Sequence, residues 1–358
     1  SSAQPYVQNW NFGFQYMLPA DILFEANYVG AKGTRLIAGG FRTGSNHVRS
    51  NYMGLSELGD YLTWDIGDAL DDTDAAAALA QFGITDRPFP SFEGTVSDSL
   101  RPYPQYTDIA NSHPNFGNST YHSLQTTVRR RVSSGLNFIG AYTWSKTLTN
   151  ADSALYTNYI YYWQDYYNQR GEKSIAQFDY RHNLKLTWIY DLPFGRGAKW
   201  LSNSGVVDKF VGGWRLSAIH NYRSGNPLMI VNSGLDSGMG TYGTRGDVMP
   251  GVNQKVSFQG PLDSGEGNQY LNPDAFDSLP DSDYMGPLPD PVCECVATRW
   301  GTAPRFLPST RGPGFQSEDF ALLKDTHLSE RFVLRFRADF FNVLNRTGLG
   351  DPGTDVGD

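Results

Sequence analysis

The side chains of this sequence that could do chemistry fall into two patterns, and neither is a familiar catalytic constellation. The first is a set of ionic groups spaced at even intervals: Arg181 and Lys185, then Arg215 and Arg223, then Arg335, Arg337 and Asp339. In an extended chain, residues two apart share a face, so each group puts its charges on one side of a strand. Glu25 and Asn27 belong to the same pattern. Such groups are too costly to bury unpaired, so that side meets water or a polar partner. The second pattern is a crowd of rings in "LYTNYIYYWQDYYNQR": Tyr156, Tyr159, Tyr161, Tyr162, Trp163, Tyr166 and Tyr167. Large rigid aromatics with a polar end suit contact with a ligand or partner. They would serve equally well by packing on neighbouring loops, and the sequence leaves both readings open.

Motifs for catalysis or cofactors are weak. There is no H-E-x-x-H and no G-x-S-x-G, and the histidines (47, 113, 122, 182, 220 and 327) are scattered. Gly238, Gly240 and Gly243 match G-x-G-x-x-G, but a dinucleotide site needs a strand before and a helix after, and both flanks read as loop. Asp281, Asp283 and Gly286 in "DSDYMG" resemble a calcium loop, yet Met285 stands where an acid or amide belongs. A weak calcium turn or a solvated acidic turn would both account for it. Cys293 and Cys295 in "PVCECV" have no further Cys or His close by in sequence to complete a metal site. They read as a loop pair, free or joined. No catalytic residue, cofactor or structural metal is assigned, and the chain is not expected to be an enzyme.

The elements that carry these side chains show in residues 178–191, "FDYRHNLKLTWIYD", which alternate in character. Phe178, Tyr180, His182, Leu184, Leu186, Trp188 and Tyr190 fall on one side, almost wholly apolar and aromatic, and Asp179, Arg181, Asn183, Lys185, Thr187, Ile189 and Asp191 on the other, almost wholly polar. Period-two alternation of this kind predicts a strand with two unlike faces. It recurs over 6–18, 22–32, 121–132, 136–148, 214–223, 318–328 and 331–345, giving eight antiparallel strands. Several are longer than the roughly 5–6 residues of an average soluble strand, and long enough for the roughly 9–11 that cross a bilayer. Short links alternate with long ones: 33–120, 149–175 and 224–317 are large, while the other turns are small or moderate. Small turns on one edge and large loops on the other predict an all-β, up-and-down outer-membrane barrel with long extracellular loops. Aromatic residues near segment ends, such as Trp10, Tyr16, Trp144, Tyr190 and Trp214, suit interfacial girdles. Within the first long loop, an alanine run behind several acids predicts a helix over 65–80.

Composition agrees. The chain has 358 residues with 14% aromatic and only 18% charged residues, the latter below the roughly 25% usual for soluble domains. A net charge of −8 argues against a nucleic-acid partner held by bulk electrostatics. Mean hydropathy is −0.44, and no apolar run approaches the roughly 18 residues of a membrane helix, which does not count against a barrel whose strands alternate. The sequence begins without Met and is expected to be a processed or truncated product.

Several stretches, in order, carry a resemblance: "PYVQNWNFGFQYMLPADILFEANYVGAKGTRL", "STYHSLQTTVRRRVSSGLNFIGAYTWSKTL", "FDYRHNLKLTWIYDLPFGRG", "VGGWRLSAIHNYRSGNPL", "LNPDAF", "TRGPGF" and "RFVLRFRADFFNVLNRT". The chain resembles the C-terminal barrel half of Oar-like TonB-dependent outer-membrane receptors, those with a carboxypeptidase-regulatory-like domain. That resemblance implies about eight strands of a roughly 22-stranded barrel, closed elsewhere by a plug domain and energised by a TonB-type coupling protein. It implies uptake of a scarce nutrient across the outer membrane. The plug and the final strand are not recognisable here, so the chain is expected to be part of a longer protein. The implied partners are outer-membrane lipid, the plug and the coupling protein, with a surface protein or small nutrient at the loops. Two other readings stay open: a receptor-derived barrel with a structural or partner-binding role, and a stand-alone small β-barrel, since eight strands can close around a filled interior.

Overall fold

The computed structural model describes residues 4–38, 45–49, 58, 61–107, 109, 115–131, 135–151, 163–195, 199–201, 206–232, 236–237, 245–256, 270–278, 296–297, 300–329 and 331–356. Alternating aromatic and β-branched residues favour a pleated, half-covered surface, and they form the long strands. These are β1 (Tyr6–Leu18), β2 (Ile22–Leu36), β3 (Gly117–Arg131) and β4 (Leu136–Thr149). The two-residue β5 (Ser174–Ile175) follows, then β6 (His182–Asp191) and β7 (Trp214–Arg223). Short bridges in the last long connection come next: β8 (Asp236–Ser237), β9 (Asp247–Val248), β10 (Phe276–Asp277) and β11 (Val296–Ala297). The sheet ends with β12 (Phe315–His327) and β13 (Val333–Phe340). The order is β1-β2-β3-β4-β6-β7-β12-β13, with β5 paired to β4. Every long neighbour pair is antiparallel, so the sheet is the up-and-down meander expected from the sequence.

Most limits match the alternation, and the differences have local causes. β2 runs on to Leu36 through an irregularity after Thr34, where Arg35 takes φ of 58°. β6 starts at His182 rather than 178, because Asp179 turns inward to an arginine of the last long connection. β13 ends at Phe340, before the expected 345. There the chain hooks back, Asn342 and Asn345 taking φ of 47° and 50°, a left-handed conformation that asparagine tolerates. The Val343 N–H then donates to the Glu318 carbonyl at 2.9 Å. The helix expected over 65–80 is two helices, Ile66–Asp71 and Thr73–Gln81. Asp72 breaks them at ψ of 136° and caps the second through the N–H groups of Asp74 and Ala75, the usual work of an N-cap carboxylate.

Register decides which side chains share a face, and apart from the irregularity after Thr34 at the end of β2 it runs through the eight long strands without a slip of face. Phe12, Tyr28, Leu124, Trp144 and His182 lie in one row. Phe138, Trp188, Ala218, Phe320 and Phe340 lie in another on the same side. The opposite side carries Gln15, Glu25, Thr127, Ala141, Lys185, Asn221 and Ser317 in one row. It also carries Ile139, Ile189 and Ile219, so it is mainly rather than wholly polar. The aromatic side leaves Phe12 73% and Phe336 52% exposed, and a continuous apolar surface of this extent marks contact with lipid or another apolar partner.

Three histidines sit on this aromatic side without being left unsatisfied. The Tyr28 hydroxyl pairs with His122 Nδ1 and the Tyr142 hydroxyl with His182 Nδ1, both at 2.7 Å. The Trp188 indole N–H donates to His220 Nε2 at 3.0 Å. Each imidazole is thereby matched to an amphipathic ring, as a low-dielectric face requires. No helix among the described residues is long and apolar enough to cross a membrane.

Candidate functional site

The three long connections interlock at one end of the sheet. The first builds a small lobe whose core is Leu62, Ile66, Leu79, Phe92 and Val96, all buried. The third contributes a second core around Leu228, Ile230, Phe276 and Leu307. Buried ion pairs join the second connection to the third, between residues far apart in sequence.

Glu172, from the second connection, and Arg245, from the third, meet at 2.5 Å with 1% and 3% exposure. The same Glu172 oxygen accepts the N–H groups of Gln164 at 3.2 Å and Asp165 at 3.3 Å. Arg305 is buried beside it and donates to the carbonyls of Glu172 at 3.2 Å and Thr149 at 2.7 Å. That links the end of β4 to both connections. A second pair, Arg311 with Asp179 at 2.5 Å, explains the displaced start of β6, since Asp179 also accepts the Thr147 N–H at 2.5 Å. Burial pushes Arg245 below its ordinary guanidinium value, with Glu172 opposing that shift. A buried pair left with one partner is strongly unfavourable, so these pairs specify how the connections assemble.

The first and second connections meet at His47, which is 1% exposed. Its Nδ1 lies 2.8 Å from the Val48 carbonyl, and its Nε2 accepts the Tyr166 N–H at 3.0 Å. The two contacts specify the neutral tautomer with hydrogen on Nδ1. Burial lowers the imidazole's affinity for a proton; the Val48 carbonyl and Asp165, 4.0 Å away, oppose that, and Arg101 adds to it. Trp300 meets the imidazole edge-on at 5.7 Å. The Tyr167 hydroxyl donates to the Ser45 carbonyl at 2.5 Å, a second tie across the same seam.

The aromatic cluster singled out in the sequence divides. Tyr156, Tyr159, Tyr161 and Tyr162 lie outside the described residues. Trp163 is not a surface ring: it is 3% exposed, packs on Phe116 at 5.0 Å and donates its indole N–H to the Asn150 carbonyl at 3.0 Å. The cause is its place beside the end of β4, under the Glu172 network. Tyr166 is half-buried against Phe116. Tyr167 reaches the surface with Arg49 at 5.5 Å from its ring, and Tyr103 and Tyr106 are exposed on the adjoining connection.

The ionic set also divides. Lys185, Arg215, Arg223, Arg335, Arg337 and Asp339 share the polar side of the sheet. Arg215 pairs with Asp191 at 2.6 Å, Arg335 with Asp325 at 2.7 Å and Arg337 with Asp339 at 2.9 Å. The Arg223 guanidinium stacks 3.9 Å from the Tyr180 ring. Arg181 precedes β6 and donates to the Pro308 carbonyl at 3.0 Å, so it belongs to the interlocked connections. Glu172, Arg245, Arg305 and Arg311 are not singled out by the sequence, and His47 and Asp179 stand there only as a scattered histidine and as a member of a strand's polar face, because the partner of each lies elsewhere in the chain. Among the described residues no group of three or more His, Cys, Asp or Glu is placed to hold a metal. Asp281, Asp283, Gly286, Cys293, Cys295 and the Gly238–Gly243 motif lie outside them.

The arrangement offers a strand wall with one apolar and one polar side, and a cap of loops pinned by buried ionic bonds. A family model described as an outer membrane beta barrel domain matches residues 2–358. Among solved structures, the chain is similar to the outer membrane transporter YddB from Escherichia coli. The TM-score is 0.42 and the identity 10%, over 96% of this chain. It spans 29% of the length of that transporter chain. No curated protein matches the sequence.

Proposed function

This chain belongs to the outer membrane beta barrel domain family and is a protein of the outer membrane; from that premise we propose that it is part of the wall of a TonB-dependent receptor that takes up a scarce nutrient. In this reading the aromatic side of the sheet meets lipid, and the polar side, with Lys185, Arg215 and Arg337, lines the lumen toward a plug domain. The cap forms part of the extracellular mouth. The role is transport rather than catalysis, and the Oar-like type is the one whose motifs the sequence resembles.

The observation that supports this best is the pairing of two features. One is a face-consistent wall that leaves ionic groups on its inner side. The other is a cap whose connections are locked together by Glu172–Arg245 and Asp179–Arg311. A passive wall needs no such cap, whereas a receptor mouth must hold a defined shape. The test is accumulation of labelled nutrients in cells lacking the gene, with and without a protonophore. Energy-dependent uptake that disappears with the gene supports the proposal. Unchanged uptake of every nutrient offered, together with a surface-assembly or adhesion defect, contradicts it. That second outcome would favour a partner-binding role, for which the exposed Tyr103, Tyr106 and Tyr167 beside Arg49 would be the contact surface.

A further inference from the structure

The link between β6 and β7 is not a simple turn. We propose that it is an interfacial anchor that binds anionic phospholipid headgroups of the membrane's inner leaflet. The proposal rests on the family assignment and on the apolar side meeting lipid, not on transport.

The described residues of the link, 192–195, 199–201 and 206–213, are held together. The Gly195 N–H donates to the Trp200 carbonyl and the Trp200 N–H to the Pro193 carbonyl, each at 3.0 Å. The helix Val206–Val211 follows. Gly195 and Gly212 touch closely enough that a Cβ on either would collide with the other residue or with Asp208. The two halves of the link are therefore held together.

The unit lies over the membrane side of the wall. Trp214 and Lys324 face each other across β7 and β12 in register with Phe336, on the aromatic side. The Trp214 indole N–H donates to the Phe210 carbonyl at 2.8 Å. Lys324 donates to the carbonyls of Phe210 at 3.0 Å and Gly212 at 2.7 Å. These are the orphan carbonyls at the helix end, where a cation is favoured. Both anchoring side chains belong to the lipid-facing row, so the helix sits beside that row at the short-turn rim. Short turns mark the periplasmic edge of such barrels.

What the unit presents outward has the composition of a membrane interface. Phe210 is 71% exposed, Leu201 57% and Trp200 51%. Lys199, exposed, lies 5.4 Å from the Trp200 ring, and Lys209 is exposed next to Phe210. Aromatic and aliphatic side chains flanked by lysines are the pattern of segments that lie in the headgroup layer. Through Trp214 and Lys324 this surface is tied to the wall's apolar side, and the lysines supply the charge that anionic headgroups complement.

The test uses the full-length protein folded in bilayers, with acyl chains brominated just below the headgroups. The emission lost on Trp200→Phe isolates the signal of Trp200. That signal should be quenched by brominated lipid and shielded from aqueous iodide. Brominated phosphatidylglycerol should also quench more strongly than brominated phosphatidylcholine at equal content. In Lys199→Gln/Lys209→Gln, local phosphatidylglycerol enrichment should fall roughly fivefold for each lysine neutralised. Heat-modifiable migration confirms that each variant has folded. A Trp200 signal quenched by iodide and untouched by brominated lipid would overturn the proposal, leaving the surface to a periplasmic protein. Equal quenching by the two lipids would overturn the headgroup assignment.

Discussion

Replacing Glu172 by Gln should loosen the cap while leaving the strand wall intact. Glutamine keeps the shape and one carbonyl acceptor for the Gln164 and Asp165 N–H groups, but it removes the charge facing Arg245. Arg245 is 3% exposed, so its guanidinium would be left nearly dry and without its ionic partner. Breaking a buried pair from one side costs about 3–5 kcal/mol. At about 1.4 kcal/mol per tenfold, that is a loss of roughly two to three and a half decades in the protection of cap amides. Native-state hydrogen exchange reads the opening free energy directly. The amides of Gln164, Asp165 and Ala303 should exchange faster by that factor, while those of Leu186 and Ala218 in the wall should not change. The double variant Glu172→Gln/Arg245→Met should recover much of the loss, because it removes the guanidinium that Glu172→Gln alone leaves buried without an ionic partner. Equal acceleration in cap and wall would refute the idea that the cap is a separately held unit. No acceleration anywhere would refute the role of the pair.

Three further outcomes follow. On the aromatic side, Leu186→Lys in mid-strand should destabilise the folded barrel by about 2–4 kcal/mol, whereas Phe336→Lys, in register with Trp214 at the short-turn rim, should cost only about 0–1 kcal/mol. Arg337→Ala on the opposite side should assemble normally, all three read from the temperature at which heat-modifiable migration is lost. Gly213→Ala should weaken the start of β7 by about 1–3 kcal/mol. Its φ is 74° and a Cβ would collide with the Asp325 carbonyl, a change visible as a lower unfolding temperature. Acidification should loosen the His47 seam. Burial holds the folded imidazole below its ordinary value of 6.5, so the unfolded seam binds the proton more tightly. Stability is therefore full above about 6.5 and declines as pH falls through that value toward the lower folded one. Protease cleavage within 45–49 and 163–170 should rise over that range in the parent and not in His47→Gln.

The wall could be read from sequence because its information is local and repeated. "WRLSAIHNYR" declares both faces within ten residues, and its limits, Trp214–Arg223, are those of the strand. The order of the sheet follows from short and long links alone. Strand ends were less legible where a polar residue left the pattern to meet a distant partner. Phe178 to Arg181 alternate as well as the strand after them, yet Asp179 is drawn away by Arg311, 132 residues on. The cap was not legible at all, since nothing in "NQRGEKS" marks Glu172 as the partner of an arginine in "GTRGDV". The rings of the tyrosine-rich stretch show the same limit. Trp163 and Tyr167 stand four residues apart in like surroundings, but only the fold puts one under the Glu172 network and the other at the surface.

The central claim is that one side of this sheet meets lipid and the other a polar interior. Spin labels placed singly along β7, from Arg215 to Tyr222 in a background lacking Cys293 and Cys295, test it most directly. In bilayers, labels at 216, 218, 220 and 222 should be reached by oxygen dissolved in the lipid. Labels at 215, 217, 219 and 221 should favour a water-soluble nickel relaxant or be reached by neither agent. Oxygen access that peaks at the odd positions, or shows no two-residue period, would contradict the account.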